Sequence, residues 1–359
     1  MSLETQVRIY EKMLVSRQLD TLLSQTRVLG NPFYIGSTFE EPLAIIGMQM
    51  KVGQGLDYDI MSPYYRSLPL LIGMGIPVES FMRQAAMRDS DPFSKGRQMV
   101  NHFSEPEFNV VPVSSCVTVE AGKGFGTALV QKTQSESAVL TVVHLGDAMC
   151  AEADFWVMLQ EIALRELPVL VLISNNAAGI HTPYTSGSAA PCQSAWGVGV
   201  EIATSSKPNN KHLAKYVASY SPNMPDTVKY ADSPREGWQI VDGSDVPSVL
   251  ASSQVAFDYI REHRKPYILE YRTERGRHHS SSSNPSGNIL EQVLDADPLP
   301  AFESQLLAQG ALTEKQMSDM KAQIEADLLA KVDAIKQEAP AVDATSGMYY
   351  AGDWRPGQT

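Results

Sequence analysis

The sequence predicts an α/β fold, a mostly parallel open sheet flanked by helices, with a helical segment before it and a helical tail after it. Two observations carry this. The runs Ala138 to Leu145 (AVLTVVHL) and Val169 to Ser174 (VLVLIS) are almost unbroken stretches of apolar residues, as expected of strands buried on both faces under helices. Between them, Ala153 to Arg165 reads as a helix, so strand, helix and strand follow one another as in a parallel crossover.

The elements follow in order. Glu4 to Leu29 has apolar residues at helical spacing (Val7, Tyr10, Met13, Leu14) and predicts a helix, ended by Gly30-Asn31-Pro32. A second helical pattern runs from Leu70 to Met87, interrupted at Gly73, Gly75 and Pro77. Gly122-Lys123-Gly124-Phe125-Gly126 imitates a dinucleotide loop but follows no clear strand, and reads instead as the start of a closely packed helix. Pro247 to Arg264 predicts a helix and Tyr267 to Thr273 (YILEYRT) a further strand. Gly187 to Glu236 is long, polar and rich in turn residues, and loops of that size in compact domains are commonly functional or mobile. Thr313 to Gln337 predicts a charged helix, N-capped by Thr313, with apolar positions at Met317, Met320, Ile324 and Leu328. Past Pro340 the chain is expected to be irregular, and there is no internal repeat. This divides the chain into an N-terminal helical segment (1–60), an α/β domain (61–290) and a C-terminal helical tail (291–359).

Composition narrows the function. Of 359 residues, 43% are hydrophobic and 19% charged, a globular balance. Lys plus Arg total 29 against 41 Asp plus Glu, a net charge of -12. That excess argues against a nucleic-acid surface, which needs clustered Lys and Arg. An anionic ligand can still be held, because backbone amides and a divalent ion supply local positive charge. Cys116, Cys150 and Cys192 are odd in number and lack metal-type spacing, so structural disulfides are not expected and a reducing cytoplasm is. Met1 to Leu14 has no apolar signal core, and runs such as Leu167 to Ile173 are too short to span a bilayer.

The chemistry concentrates in two turns. Leu145-Gly146-Asp147-Ala148 directly follows an apolar strand, where open α/β sheets bind their ligands. Asn175-Asn176 closes the next strand, one crossover away, so the two turns are expected side by side. Each alone is a common turn sequence; the strand-helix-strand context raises the pair. A carboxylate, an Asn side-chain oxygen and a backbone carbonyl suit magnesium, which then prefers phosphate oxygens for its remaining positions. His144 lies on a strand and reads as a packed core residue, whereas His181 could approach the turns.

With these turns in view, the chain resembles the alpha subunit of thiamine-diphosphate-dependent 2-oxoacid dehydrogenases, the decarboxylating component of the branched-chain and pyruvate complexes. Gly146-Asp147-Ala148 followed by Asn175-Asn176 looks like the thiamine-diphosphate motif. Supporting stretches include Phe33-Tyr34 with Glu40-Glu41, Tyr64-Tyr65-Arg66, Lys95 to Met99 with His102, and Ser114-Ser115. Others are Glu152 with Asp154, Thr182-Pro183, Val241 to Asp245, and Arg272 to Arg275 leading into His278-His279-Ser280. The resemblance implies the thiamine-diphosphate-binding fold. It implies thiamine diphosphate and Mg2+ as cofactors, with Asp147, Asn176 and the Ala178 carbonyl holding the metal. Tyr65 and Arg66 would face the diphosphate, where a guanidinium matches phosphate geometry. Ser115 and Val117 would lie near the aminopyrimidine, and Gly146, Ala148, Met149 and Ile180 would complete the cofactor contacts. His279 matches the family's active-site histidine; a proton-transferring group of this kind contributes roughly 100- to 10,000-fold.

The sequence also departs from that pattern. Ala148 and Ala153 replace family glycines, Cys116 replaces a proline, Ser283 and Asn284 replace acidic residues, and Val119 and Glu120 occupy the positions of a potassium site, so potassium is not expected. Ser280 to Ser283 fall in a loop phosphorylated in some members, but read here as a flexible Ser-rich loop. Gly187 to Glu236 is longer than its family counterpart. The implied reaction is decarboxylation of a 2-oxoacid, with the acyl group passed to a lipoyl-bearing acyltransferase. The glutamate such enzymes place against the aminopyrimidine has no counterpart after the sheet region, so a beta subunit is expected to supply it in an α2β2 heterotetramer. A related thiamine enzyme, such as an acetoin dehydrogenase or split transketolase, and a catalytically weakened structural or regulatory paralogue remain as alternatives.

Overall fold

The structure is a computed structural model and describes residues 2–25, 28–31, 33–180, 182–183, 237–281 and 288–341. The Gly187 to Glu236 stretch, His181, Cys192, Ser282 to Asn284 and the terminus past 341 therefore lie outside the described residues.

The chain opens with α1 (Leu3–Ser24), started by the Ser2 hydroxyl, which accepts from the Thr5 amide. After it come α2 (Ala44–Gln49), strand β1 (Ile60–Ser62), α3 (Leu68–Met74) and α4 (Val78–Ala85). The Leu70 to Met87 pattern thus forms two helices. Gly75, at φ 94, ends the first with a left-handed cap that an L side chain would resist. Next are α5 (Val119–Gln134), β2 (Thr141–Gly146), α6 (Ala153–Leu164) and β3 (Val169–Asn175), then a short antiparallel pair, β4 (Ala178–Gly179) with β5 (Thr182–Pro183). β6 (Trp238–Asp242), α7 (Val246–His263), β7 (Tyr267–Arg272), α8 (Pro298–Ala308) and α9 (Glu314–Lys336) complete the fold. Thr313 caps α9 in a reciprocal box with Gln316, each side chain meeting the other's amide.

β1, β2, β3, β7 and β6 form one sheet in that order, every neighbouring pair parallel. The apolar runs are explained by what their two faces meet. Leu170 and Leu172 of β3 join one core with Leu269 and Tyr271 of β7 and with apolar residues of α1, α3, α7, α8 and α9. Val169, Val171 and Ile173 join the other, with Phe155, Met158 and Ile162 of α6 and Ala121 and Ala128 of α5. Successive side chains point to opposite faces, and here neither face meets water. α1 and the helices from the far end of the chain share the first core, Tyr10 stacking edge-on to Phe302 and donating to Glu303.

Two packing contacts, one of a helix on a strand and one of a helix on a helix, are close enough to require glycine. A Cβ on Gly124 of α5 would sit 2.2 Å from Val143 of β2, so the glycine-rich stretch is a packing surface within a helix. A Cβ on Gly73 of α3 would lie 2.0 Å from the Ala44 carbonyl of α2. Backbone cannot yield as a side-chain tip can. Gly73→Ala is therefore expected to destabilise the chain by about 1–3 kcal/mol, read as a lowered midpoint in urea; an unchanged midpoint would show that α2 and α3 slide apart freely.

Candidate functional site

The register of β2 against β3 builds the site. Gly146 pairs with Ser174, so the next residues of both strands, Asp147 and the Asn175-Asn176 pair, emerge side by side at the carboxyl edge of the sheet. Asn175 turns inward, its side-chain Nδ2 donating to Glu270 at 2.7 Å and its Oδ1 accepting from the Ala177 amide at 3.0 Å. Ala177 sits in the left-handed region at φ 57 and turns the chain back, so that the Ala178 amide donates to Asp147 Oδ2 at 3.0 Å. Asn176 Oδ1 is buried with no hydrogen-bond partner. A buried oxygen without a donor carries a cost of roughly 1–3 kcal/mol, which a cation relieves. Among the described residues no three His, Cys, Asp or Glu side chains gather as a metal cluster. The fit is therefore to a hard ion held by one carboxylate, one amide oxygen and a main-chain carbonyl, with ligands left over for an anion.

Ala148, in the third position of the turn, lies in a short 3-10 helix (Asp147–Ala151) and is not among the residues with positive φ. Its methyl therefore imposes no backbone strain. The same holds for Ala153, the first residue of α6. The Met149 side chain is buried in the core and its sulfur accepts from the Gly146 amide at 3.4 Å, so a ligand contact from this residue falls to its main chain.

Near the turn lies a cluster of basic and aromatic side chains. Arg66 is buried; one Nη donates to the Gly36 carbonyl at 2.5 Å, and the other to His279 Nδ1 at 2.8 Å and to the His279 carbonyl at 3.0 Å. A guanidinium only donates, so Nδ1 accepts and the ring proton of His279 resides on Nε2. The Tyr65 ring meets His279 edge-on at 6.0 Å, stacks with His102 at 6.1 Å, and lies 5.5 Å from the Arg66 guanidinium carbon. Arg275 is held below the usual arginine range by burial and by the Arg66 charge, opposed by Asp147 and Glu40. The Arg66 charge beside Arg275 places two guanidinium groups close together, an arrangement suited to an anion.

Glu40 completes the set. It is 1% exposed, and its Oε2 has no hydrogen-bond partner. Burial pushes its carboxyl up to about 8, against the pull of Arg66 and the Ser174 hydroxyl. The preceding Phe39 is left-handed at φ 81, and its amide donates to the Glu41 carboxylate at 3.0 and 3.1 Å. His144 is a core residue as its strand position predicts. It bridges the Ser67 and Ser174 hydroxyls, each at 2.8 Å, and burial lowers it to about 3.

The structure thus brings Asp147, Asn176, Ala178, Tyr65, Arg66 and His279 into one neighbourhood. Ser115 and Val117 are exposed on the loop before α5, whose first turn is tied to the end of β1 by the Ser62 hydroxyl donating to the Glu120 carbonyl. Ile180, 58% exposed, stands on the rim. Sequence reasoning singled out Glu40 and Arg275 without giving either a role. The available signal was a pair of acids between apolar residues (Phe39, and Pro42 to Ile46), and three arginines, Arg272, Arg275 and Arg277, crowded at the end of β7 and just beyond it.

A parallel sheet whose carboxyl edge carries an oxygen-donor turn near two arginines defines an α/β protein of the class that places its ligand site at the strand ends. The chain belongs to the dehydrogenase E1 component family, whose profile matches residues 10–221 and 209–342. It is similar to the 2-oxoisovalerate dehydrogenase subunit alpha of Bacillus subtilis, 25% identical over 338 residues, covering 93% of this chain and 88% of that protein. It is also similar to the mitochondrial 2-oxoisovalerate dehydrogenase subunit alpha 2 of Arabidopsis thaliana, 25% identical over 332 residues, 91% of this chain and 62% of that one. The mitochondrial human 2-oxoisovalerate dehydrogenase subunit alpha is 24% identical over 320 residues, 87% and 63%. The chain therefore spans less than two thirds of the Arabidopsis and human proteins and most of the bacterial one.

Glu40 predicts a pH dependence. Unfolded, its carboxyl ionises near its ordinary 4.5; folded, it keeps its proton to about 8. Between these values folding takes up a proton, so the stability of the cofactor-free chain falls as pH rises through that window. Glu40→Gln is expected to flatten this slope and to gain on the order of 1 kcal/mol over the parent at the alkaline end, measured by urea unfolding across the range. The same slope in both proteins would assign the titration elsewhere.

Proposed function

We propose that the chain is the alpha subunit of a thiamine-diphosphate-dependent 2-oxoacid dehydrogenase, decarboxylating a 2-oxoacid and passing the acyl group to a lipoyl-bearing acyltransferase. The observation that carries this is the oxygen-donor turn, with its unpartnered Asn176 oxygen, whose Asp147 lies within electrostatic reach of Arg275 and its neighbour Arg66. Asp147, Asn176 Oδ1 and the Ala178 carbonyl would hold Mg2+, while Arg66, Arg275 and Tyr65 would receive the diphosphate. When bound, thiamine diphosphate supplies the nucleophilic carbon and the electron sink that decarboxylation requires. The chain's own residues bind, orient and move protons. Arg66 neutralises the anion and fixes the His279 ring in one tautomer with a single guanidinium. His279 then holds a proton on Nε2 for transfer at the reacting centre. Tyr65, held up from its ordinary range by burial, stays a neutral wall of the pocket.

A separate beta subunit in an α2β2 assembly is part of this reading, supported by relatives that are themselves named as alpha subunits. The exposed Ser115, Val117 and Ile180 at the rim are the surface it would cover. The names of the relatives favour a branched-chain 2-oxoacid as substrate. A cytoplasmic location is the proposal that accompanies a chain with three cysteines and no metal-type spacing.

Calorimetry of the chain co-purified with its beta-type partner tests the reading. Thiamine diphosphate is expected to bind only with Mg2+, and Asp147→Ala to weaken it at least about tenfold. Release of carbon dioxide from 2-oxoisovalerate with reduction of a lipoyl acceptor would identify the reaction. Tight binding with cleavage of acetoin or a sugar phosphate would move the chain to a related thiamine enzyme. Absence of binding would leave a structural paralogue.

A further inference from the structure

The segment that carries His279 is also held by residues remote in sequence from the Asp147 and Asn176 turns. Asp20, on α1 and fully buried, receives donors from a strap formed by residues 34–38. Its Oδ1 accepts from the Tyr34 hydroxyl (2.7 Å), the Ser37 amide (2.7 Å) and the Ser37 hydroxyl (3.2 Å), and its Oδ2 from the Thr38 hydroxyl (2.5 Å). Arg277, two residues before His279, places Nε 3.5 Å from Asp20 Oδ2. The same Nε donates to the Thr38 hydroxyl at 2.7 Å, and an Nη to the Thr21 hydroxyl at 2.9 Å.

The strap and the His279 segment are also stitched along their backbones. The Gly276 amide donates to the Thr38 carbonyl, the Ser281 amide to the Tyr34 carbonyl, and the Tyr34 amide to the Ser281 hydroxyl. Gly276 must be glycine for this approach, since a Cβ there would lie 2.7 Å from the Thr38 methyl. Midway along the strap, Gly36 lies directly on the buried pair; a Cβ would sit 3.2 Å from Asp20 Oδ2 and 3.6 Å from Arg277 Cδ. The Gly36 carbonyl in turn receives the guanidinium of Arg66 that also meets His279 Nδ1. Two routes therefore lead from Asp20 to one imidazole, through Arg277 along the segment and through the strap to Arg66.

We infer that Asp20 and Arg277 are positioning residues for His279, setting its ring through the strap and through the segment that carries it. The inference rests on the reading of His279 as the proton-transferring group. Its physical basis is that neither partner tolerates the loss of the other. A buried carboxylate with these donors is satisfied only while the strap and Arg277 stay in place, and Arg277 without that charge would be buried and unpaired. The cheapest relief is for the segment to move outward and take His279 with it. Displacement of a reacting group by about 1 Å costs on the order of 100-fold in rate.

The test uses Asp20→Asn, which keeps the shape and removes the charge, Arg277→Met, and Arg277→Lys as the conservative variant. The full chain is treated with diethyl pyrocarbonate, and modification is followed at each histidine by peptide mass spectrometry. Asp20→Asn and Arg277→Met are expected to change the rate at His279 by about fivefold or more, as local release does, while buried His144 stays unreactive and exposed His263 is unchanged. Arg277→Lys is expected to restore most of the parental rate. In the complex with the beta-type partner, Asp20→Asn is expected to lower kcat by roughly 10- to 100-fold, with thiamine diphosphate affinity nearly unchanged. In a His279→Ala background it should cost less than about twofold more, because the two act as a unit. An unaltered His279 rate, a parallel rise at His144, or a full-sized kcat loss in the His279→Ala background would each overturn the inference. A parental complex that decarboxylates no 2-oxoacid would defeat the proposed reaction, while the modification pattern would still decide the positioning.

Discussion

Charge balance among buried groups is the constraint on which the site depends. Arg66 lies close enough to Arg275 to help lower it, and Glu40 and Asp147 share their surroundings. Buried charges persist only where geometry compensates them. Each group here is accordingly tied to backbone set by the sheet. Arg66 is clamped to Gly36 and His279, and Asp147 takes the Ala178 amide. Glu40 escapes the problem by holding its proton. The site is best described as one set of charges with several supports.

Those supports differ in kind. The sheet contributes register: Gly146 opposite Ser174 puts an acid and an amide at adjacent strand ends. The left-handed Ala177 contributes a sharp return of the chain, a conformation that costs a non-glycine residue energy and is commonly retained where function requires it. The pair Asp20 and Arg277 contributes a second anchor for the segment carrying His279. A pocket assembled this way has its polar atoms arranged before any ligand arrives, which is how electrostatic stabilisation is achieved without reorganisation at the moment of reaction.

Much of this was legible in the residues. The buried strands could be read because every second side chain serves one core and the remainder serve the other, which leaves few positions for polar residues. The Gly146-Asp147 and Asn175-Asn176 turns could be read because both lie at the ends of such strands, and the intervening helix makes them neighbours. Thr313 was legible as a cap because its partner, Gln316, is three residues away. Asp20 was not. It sits on a helix that otherwise reads as an ordinary packed element, and its partners, at Tyr34 to Thr38 and Arg277, are brought to it only by tertiary structure. Glu40 was visible as part of a motif, but its proton affinity comes from burial, which a linear pattern does not express. The interruption between α3 and α4 was signalled by Gly75, although two helices rather than one broken helix follow from its left-handed cap.

The packing of the first helix against the last has a consequence for the history of each molecule. Tyr10 donates to Glu303, 293 residues away in the chain, and β3 waits for β7 to supply its second neighbour. Synthesis proceeds from the amino end, so α1 emerges long before the helices that cover it, with Ile9, Met13 and Leu19 bare in the interval. Contacts this distant in sequence close slowly, and unpaired strand edges invite wrong pairings meanwhile. The binding pocket is thus among the last things a nascent chain completes, and a truncated product would expose core without gaining a site.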